Sequence, residues 1–208
     1  LEIEENLKTA GWTKPKMVRE MRNLADLYAD LGQSERAVST LVAALRLHGA
    51  PDESLLNKLG MACGKLGDFE REERFLSEAG DASSWNGPWF NLALSKKRQG
   101  KITEAIEFLE RGLAKERDGS DLILRAMLAD AQKDVSARDA YLSEAVTLFD
   151  SPSSLSDWEL GWFVTGMRMA GNESQLADGQ AEVKRRHRGD ESELEAGKPP
   201  KQIGGLCS

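Results

Sequence analysis

The feature that most constrains this sequence is a spacing that recurs along its first half. A leucine followed by a small residue recurs at steps of 35 and 33 residues, and a glycine follows each leucine eight positions later. The leucines are Leu24, Leu59 and Leu92, and the glycines are Gly32, Gly67 and Gly100. Two signals that share one period indicate an internal repeat, in which each unit buries its apolar face against its neighbours.

Each unit is predicted to be a pair of helices. Apolar residues before the first glycine follow helical spacing, as in Val18, Met21 and Tyr28. The glycine supplies a positive φ at the C-terminus of the first helix, where a β-carbon would be penalised. A capping residue then begins the second helix. The predicted N-caps are Ser34, Asp68 and Thr103.

The pattern resembles the tetratricopeptide repeat, whose signature is W-x2-L-G-x2-Y, then A-x3-F and a late proline. Matching positions are Trp89, Leu92, Ala93, Leu24, Ala25, Tyr28, Ala37, Leu41, Ala44, Ala105, Leu109 and Pro51. The sequence departs from the signature at Glu72, where alanine is expected, and at Cys63 and Lys96, where tyrosine is usual. The resemblance implies an all-α fold, an α-solenoid of about five helix–turn–helix repeats. Its buried residues should include Leu24, Leu59, Leu92, Ala37, Ala44, Ala105 and Leu109.

The predicted solenoid covers residues 1–187, with residues 1–17 as a leading segment and residues 188–208 as a charged tail rich in proline and glycine. The predicted repeats are residues 18–51, 53–85, 87–119, 120–153 and 156–187. Gly171 lies 71 residues after Gly100, which is two repeat lengths and places the fifth unit. The fourth unit is degenerate, because its turn lacks a glycine and Arg138 stands where the second helix should have alanine.

Catalytic, cofactor and metal sites find no support in the sequence. Its two histidines, His48 and His187, and its two cysteines, Cys63 and Cys207, form no cluster at metal-ligand spacing. Cys63 lies on an apolar stripe and is expected to be a buried, inert thiol. We therefore predict a protein that is not an enzyme and carries no cofactor or metal.

Nucleic acid and membranes are also not expected as partners. The net charge of −7 disfavours nonspecific binding to nucleic acid, and no apolar run is long enough to span a bilayer. The basic run at residues 184–188 is best explained by the preference for cations at a helix C-terminus. Few cysteines and no signal-peptide core indicate the cytoplasm. Because the sequence begins without methionine, we expect a fragment of a longer protein.

The resemblance implies a concave groove, lined by the first helices, that binds a peptide or helix of a partner protein. The predicted contact residues are Arg19, Arg22, Asn57, Met61, Lys65, Phe90, Leu94, Lys97, Arg98, Trp158 and Arg168. Asp26, Ser54, Gly161 and Thr165 complete that face. Several cations on an acidic chain predict an acidic or C-terminal peptide whose apolar side chain packs near Phe90.

One subclass of the family holds the carboxylate tails of heat-shock chaperones with a Lys/Asn/Asn/Lys/Arg clamp. Asp26, Met61 and Gly87 stand at three of those positions, and Asp26 would repel a carboxylate, so that clamp is not predicted. Two alternatives remain open. The tail Gly197–Ser208 would occupy its own or a neighbour's groove, giving autoinhibition or a homo-oligomer, or the chain is a regulatory or docking segment of a larger chaperone or enzyme.

Overall fold

The fold of the chain is given by a computed structural model, which describes residues 11 and 13–186. Among them are ten α-helices and no strand: α1 (Lys14–Asp30), α2 (Ser34–His48), α3 (Glu53–Lys65), α4 (Phe69–Ala82), α5 (Gly87–Arg98), α6 (Ile102–Leu113), α7 (Gly119–Ala131), α8 (Val135–Leu148), α9 (Asp157–Met169) and α10 (Glu173–Arg186). The predicted tail 188–208 lies outside the described residues, as does His187.

The helices belong to two compact units, the first ending at Leu92 and the second starting at Ala93, so that the boundary lies inside α5. In the first unit α1 packs on α2, α2 on α3, and α3 on α4. In the second unit α7 packs on α6, α8 and α9, while α9 also packs on α8 and α10. An ion pair of 2.7 Å between Lys96 and Glu104 joins α5 to α6. The predicted all-α class and its helix pairs are confirmed.

The turn between the two helices of each pair has the same backbone geometry throughout. Its positive-φ residues are Gly32 (71°), Gly67 (77°), Gly100 (76°), Lys133 (62°) and Gly171 (65°). The residue after each of these donates its backbone N–H to the carbonyl five residues earlier and so closes the turn. In the first turn, the Gln33 N–H donates to the Tyr28 carbonyl at 2.8 Å. Lys133 therefore takes the place of the missing glycine and fixes the register of the fourth pair.

The capping predictions are correct at one position and wrong at two. Asp68 is the N-cap of α4 and accepts a hydrogen bond from the Arg71 N–H at 3.1 Å. Ser34 is the first residue of α2, whose N-cap is Gln33. Thr103 lies in the first turn of α6, which begins at Ile102. In both helices the residue directly after the glycine, Gln33 or Lys101, is the N-cap, so each helix begins earlier than predicted.

The core of the first unit forms where α1, α2 and α3 meet. Its buried side chains are Ala25, Ala37, Val38, Leu41, Ala44, Leu55, Leu59, Ala62 and Cys63. Leu59 and Leu92 are each 1 % exposed, as predicted, whereas Leu24 is 42 % exposed and its predicted burial is wrong. Leu59 belongs to the core cluster that includes residues of α2, but among the described residues no helix precedes α1 to cover Leu24 in the same way.

Close packing in the second unit depends on residues that lack a β-carbon. A β-carbon on Gly166 would overlap the side chain of Ile123, so α9 approaches α7 closely at this point. On α10, Gly179 lies against the Phe163 ring, which meets Phe149 edge-on at a centroid distance of 5.6 Å. These contacts place α7, α9 and α10 in one packed group.

Candidate partner-binding site

The first helices of the first unit are joined by an ion pair. The Lys58 ammonium of α3 donates to both carboxylate oxygens of Asp26 on α1, at 2.9 and 3.1 Å. The two side chains are 13 % and 27 % exposed. Asp26 is therefore already neutralised by the chain itself, and the sequence-based expectation that it would repel an acidic partner loses its basis.

A second polar contact stands at the equivalent place one repeat later. The Asn91 carboxamide donates to Oδ1 of Asn57 at 3.0 Å and lies 3.5 Å from the Met61 sulfur. Asn91 follows Lys58 by 33 residues and Met61 follows Asp26 by 35, so the same pair of repeat positions is in contact twice. Asn57 is only 2 % exposed, which makes it a structural residue, and its predicted role in contacting a partner is wrong. Met61 stays half-buried.

Phe90 is also buried, at 4 % exposure, and its predicted role as an open apolar contact is wrong. The segment before α5 folds against the start of that helix, since Ser83, Asn86 and Pro88 are all buried. The Trp85 ring lies so close to Gly87 that a β-carbon there would overlap it. The start of α5 is thus closed by its own chain, which its spacing alone could not reveal.

The cations predicted for the first unit differ in their surroundings. Arg19 is exposed and forms an ion pair with Glu20 at 3.1 Å. Lys65, at the end of α3, is exposed. Arg22 is half-buried and has neither a hydrogen bond nor an ion pair with any residue that the structure describes. Among these three, Arg22 alone is half-buried, and it lies there without a partner in the described part of the chain.

The end of α5 carries two neighbouring lysines, one of which has a counter-ion while the other has none in the described part of the chain. Lys96 is buried, pairs with Glu104 and lies 5.8 Å from the centroid of the Phe108 ring. Lys97 is half-buried, and within residues 11 and 13–186 no acid or acceptor binds its ammonium. Burial therefore lowers the pKa of Lys97. Leu94, three residues earlier, is half-buried, and Arg98 is exposed.

The predicted residues of α9 lie in the second unit. Trp158 is half-buried and meets the ring of Trp162 edge-on at a centroid distance of 6.2 Å. The Thr165 hydroxyl donates to the Gly161 carbonyl at 2.9 Å, and Arg168 is exposed. One aromatic side chain and one cation of this helix are therefore accessible.

Neither a metal centre nor a membrane span is found in the described part of the chain. No group of three histidine, cysteine, aspartate or glutamate side chains there is arranged to hold a metal ion. None of the described helices is both long enough and apolar enough to cross a bilayer. Cys63 is a free, buried thiol whose pKa is raised, mainly by desolvation.

Comparison with known proteins gives a direct match to the repeat. The family model described as tetratricopeptide repeat matches residues 23–48 and 88–114, which contain the turns at Gly32 and Gly100. Two segments of the chain therefore match the tetratricopeptide repeat. Such repeats form scaffolds that bind other proteins and generally have no catalytic activity. A search of curated proteins gives no match.

Solved structures share the fold of these tetratricopeptide repeats. PilW, a widely conserved type IV pilus biogenesis factor, is 18 % identical over 91 % of this chain and 84 % of its own, with a TM-score of 0.58. MamA from Desulfovibrio magneticus RS-1 is 16 % identical over 81 % of this chain and 92 % of its own, with a TM-score of 0.55. A third structure, of a Podosopora anserina protein whose TPR-like repeats are nearly identical to one another, is 17 % identical to this chain. The match covers 82 % of this chain and 97 % of its own, with a TM-score of 0.55. At these identities the likeness concerns the fold alone.

Sequence reasoning missed several residues that lie on or beside the candidate surfaces. With Lys133 in the place of glycine, Met127 on α7 is the counterpart of Leu94, and it is half-buried. The missing glycine hid that register. Lys14 and His48 were also missed, because they lie at helix ends rather than on the repeated first-helix positions. Both line a depression of about 400 Å³ in the first unit.

Proposed function

We propose that this chain is a non-catalytic interaction module that binds an acidic segment of a partner protein on the exposed faces of its first helices. The observation that carries the proposal is Lys97. Its ammonium is half-buried, its pKa is lowered by burial, and it has no counter-ion among the described residues. A carboxylate from a partner would offset that desolvation and raise the pKa of the lysine again.

The side chains near Lys97 suit a segment that combines acidic and apolar residues. Leu94 lies on the same side of α5, because residues three apart are neighbours on a helix. Arg98 adds a second, exposed cation. An acidic residue beside an apolar one would therefore find a partner for each on this one helix.

Other predicted contacts belong to the same proposal, each within its own unit. In the first unit they are Arg19, Arg22, Met61 and Lys65, which remain accessible after Asn57 and Phe90 are set aside as structural. In the second unit they are Trp158 and Arg168 on α9, together with Met127 on α7. Half-buried apolar groups beside cations are typical of surfaces that bind peptides.

The test is a double charge reversal, Lys97→Glu with Arg98→Glu, in the full chain. Partner proteins captured from cell extract would be quantified for the parent chain and for this variant. A matched control, Arg46→Glu with Lys184→Glu, changes the net charge equally at exposed sites away from α5. Loss of the same partners only in the Lys97/Arg98 variant supports the proposal. Equal retention by both variants, with unchanged thermal melting, overturns it.

A further inference from the structure

A second candidate site lies in the first unit, away from α5. A depression of about 400 Å³ opens between the start of α1, the end of α2 and the start of α3. It is lined by Lys14, Pro15, Val18, Arg19, Arg22, His48, Asp52 and Leu55. That volume lies within the range of ligand pockets, and the lining combines an apolar wall with charged groups.

Two cations in this depression have no counter-ion. Neither Lys14 nor Arg22 forms a hydrogen bond or an ion pair with any residue among 11 and 13–186. The Lys14 ammonium lies at the C-terminal end of α2, 3.4 Å from the point where a β-carbon on Gly49 would stand. The negative end of the helix dipole favours a cation there, which places Lys14 at the mouth of the depression. Arg22, half-buried, bears the larger cost of desolvation.

The acids that could neutralise these cations are engaged elsewhere. Asp52 caps α3 by accepting a hydrogen bond from the Leu55 N–H at 2.8 Å, and its other oxygen lies 4.0 Å from Nε2 of His48. His48 is held by its other ring nitrogen, which donates to the Ala50 carbonyl at 3.0 Å. Asp26, one turn after Arg22, is bound by Lys58. The depression therefore keeps an excess of positive charge.

We propose that this depression binds the carboxylate of an acidic side chain on a partner protein. The planar guanidinium of Arg22 can take a carboxylate in a bidentate arrangement, and Lys14 adds a second charge at the mouth. Pro15, Val18 and Leu55 provide the apolar wall for the methylene groups of a glutamate. Asp52 stands in the same depression, so a singly charged carboxylate suits it better than a doubly charged phosphate. The site extends the proposed partner-binding function to residues that lie apart from Lys97.

The probe is a capped peptide of four glutamates, with a capped peptide of four glutamines as its neutral counterpart. Titration of the full chain, followed by backbone amide shifts in NMR, should move resonances around the depression only for the glutamate peptide. Arg22→Gln should weaken that binding about tenfold, which is the effect of losing one charge-assisted contact. Lys14→Gln should weaken it less, and Arg22→Lys should restore part of the affinity because the charge returns without the fork.

The controls separate this site from general charge attraction and from the proposed function. Arg46→Gln removes an exposed cation of α2 outside the depression and should leave the affinity for the glutamate peptide unchanged. If Arg46→Gln weakens binding as much as Arg22→Gln, or if the glutamine peptide or inorganic phosphate binds more tightly, the proposal is overturned. Lys97→Gln should leave the shifts around the depression unchanged, whatever its effect on the shifts of α5 residues, so failure of the α5 proposal and failure of this one give different results.

Discussion

The carboxylate of Glu72 occupies the space in which a β-carbon on Gly64 would stand. Glu72 is 2 % exposed, on α4 at the position where the tetratricopeptide pattern has alanine. Gly64 lies opposite it on α3, and the absent side chain leaves the room that the longer residue needs. The departure from the family pattern at one position is thus accommodated by a second residue eight positions earlier.

This relationship predicts a stability change that depends on both residues. Gly64→Ala should destabilise the chain by about 1–3 kcal/mol, because overpacking forces the carboxylate or the helix to move. In a Glu72→Ala background the same substitution should be neutral or stabilising, since the space is then free and alanine favours the helix. Urea denaturation of the four proteins measures the coupling. Additive effects of the two substitutions would show that they do not share this space.

Leu24 and Leu59 hold the same repeat position but differ in exposure, at 42 % and 1 %. Leu59→Ala should cost about 2–5 kcal/mol, as expected for a buried leucine that leaves a cavity. Leu24→Ala should cost less than about 1 kcal/mol, because much of this side chain is already in contact with water and its removal leaves no closed cavity. Chemical denaturation of both variants checks the difference. A similar large cost at both positions would mean that Leu24 is covered in solution.

The turn at Lys133 predicts a gain in stability from a single substitution. Lys133 has a φ of 62°, in the left-handed region that penalises a side chain. Lys133→Gly should therefore stabilise the chain by about 0.5–1 kcal/mol, once the greater freedom of glycine in the unfolded chain is allowed for. Gly100→Lys is the reciprocal control, since no atom crowds that position and only the backbone is strained. It should lower the melting temperature where Lys133→Gly raises it.

Most of the fold could be predicted from the sequence, because the repeat makes one position inform another. The leucine and glycine steps placed the helix pairs, and Gly171 located the fifth unit across the degenerate fourth. The exposure of Leu24 could not be predicted in this way, since the same repeat position is covered by a neighbouring helix in one unit and not in another. Lys133 was missed because a turn normally supplied by glycine was built with a strained lysine.

The candidate site was less predictable than the fold. Repeat positions identified which residues lie on the first helices, and Arg22, Met61, Leu94 and Lys97 remain accessible there. They could not show that Asn57 is covered by Asn91, or that the segment around Trp85 closes the start of α5. Those contacts depend on side chains from other repeats and loops, and no periodic pattern encodes them.

Replacing the desolvated Lys97 is expected to raise stability and to weaken binding. Its folded-state pKa lies below the usual 10.5, so the folded chain holds the proton less tightly than the unfolded chain. The resulting destabilisation is present at neutral pH and is relieved as pH rises through the lowered pKa towards 10.5. Lys97→Met should therefore raise the melting temperature at pH 7, by about 1 °C after solvent screening, and weaken binding of an acidic partner.

Calorimetry at pH 7 and at pH 10.5 measures the effect on stability. The difference in melting temperature between Lys97→Met and the parent should shrink at the higher pH. Lys97→Arg is the control, because it keeps the charge and its desolvation. A melting temperature that falls in Lys97→Met at pH 7 would contradict the prediction.

Glu182 predicts a loss of stability in acid. Hydrogen bonds from Arg185 and Arg186, at 2.6 and 2.7 Å, lower its pKa from 4.5 to about 2. Since the unfolded chain takes up this proton more readily than the folded chain, the stabilisation is complete above pH 4.5 and is lost as pH falls towards 2. Glu182→Gln should lower the melting temperature at pH 6, with a smaller difference from the parent at pH 3. Circular dichroism at both values checks it, and a constant difference would contradict it.

The two polar contacts that join neighbouring first helices, Lys58 with Asp26 and Asn91 with Asn57, also bear on how a partner would bind. Each holds side chains of adjacent repeats in one arrangement before any partner arrives. A segment that docks beside them meets a surface whose ordering has already occurred during folding, so less conformational entropy is lost on association. Specificity in the first unit would then come from a rigid template, and partners that require these helices to separate would be disfavoured.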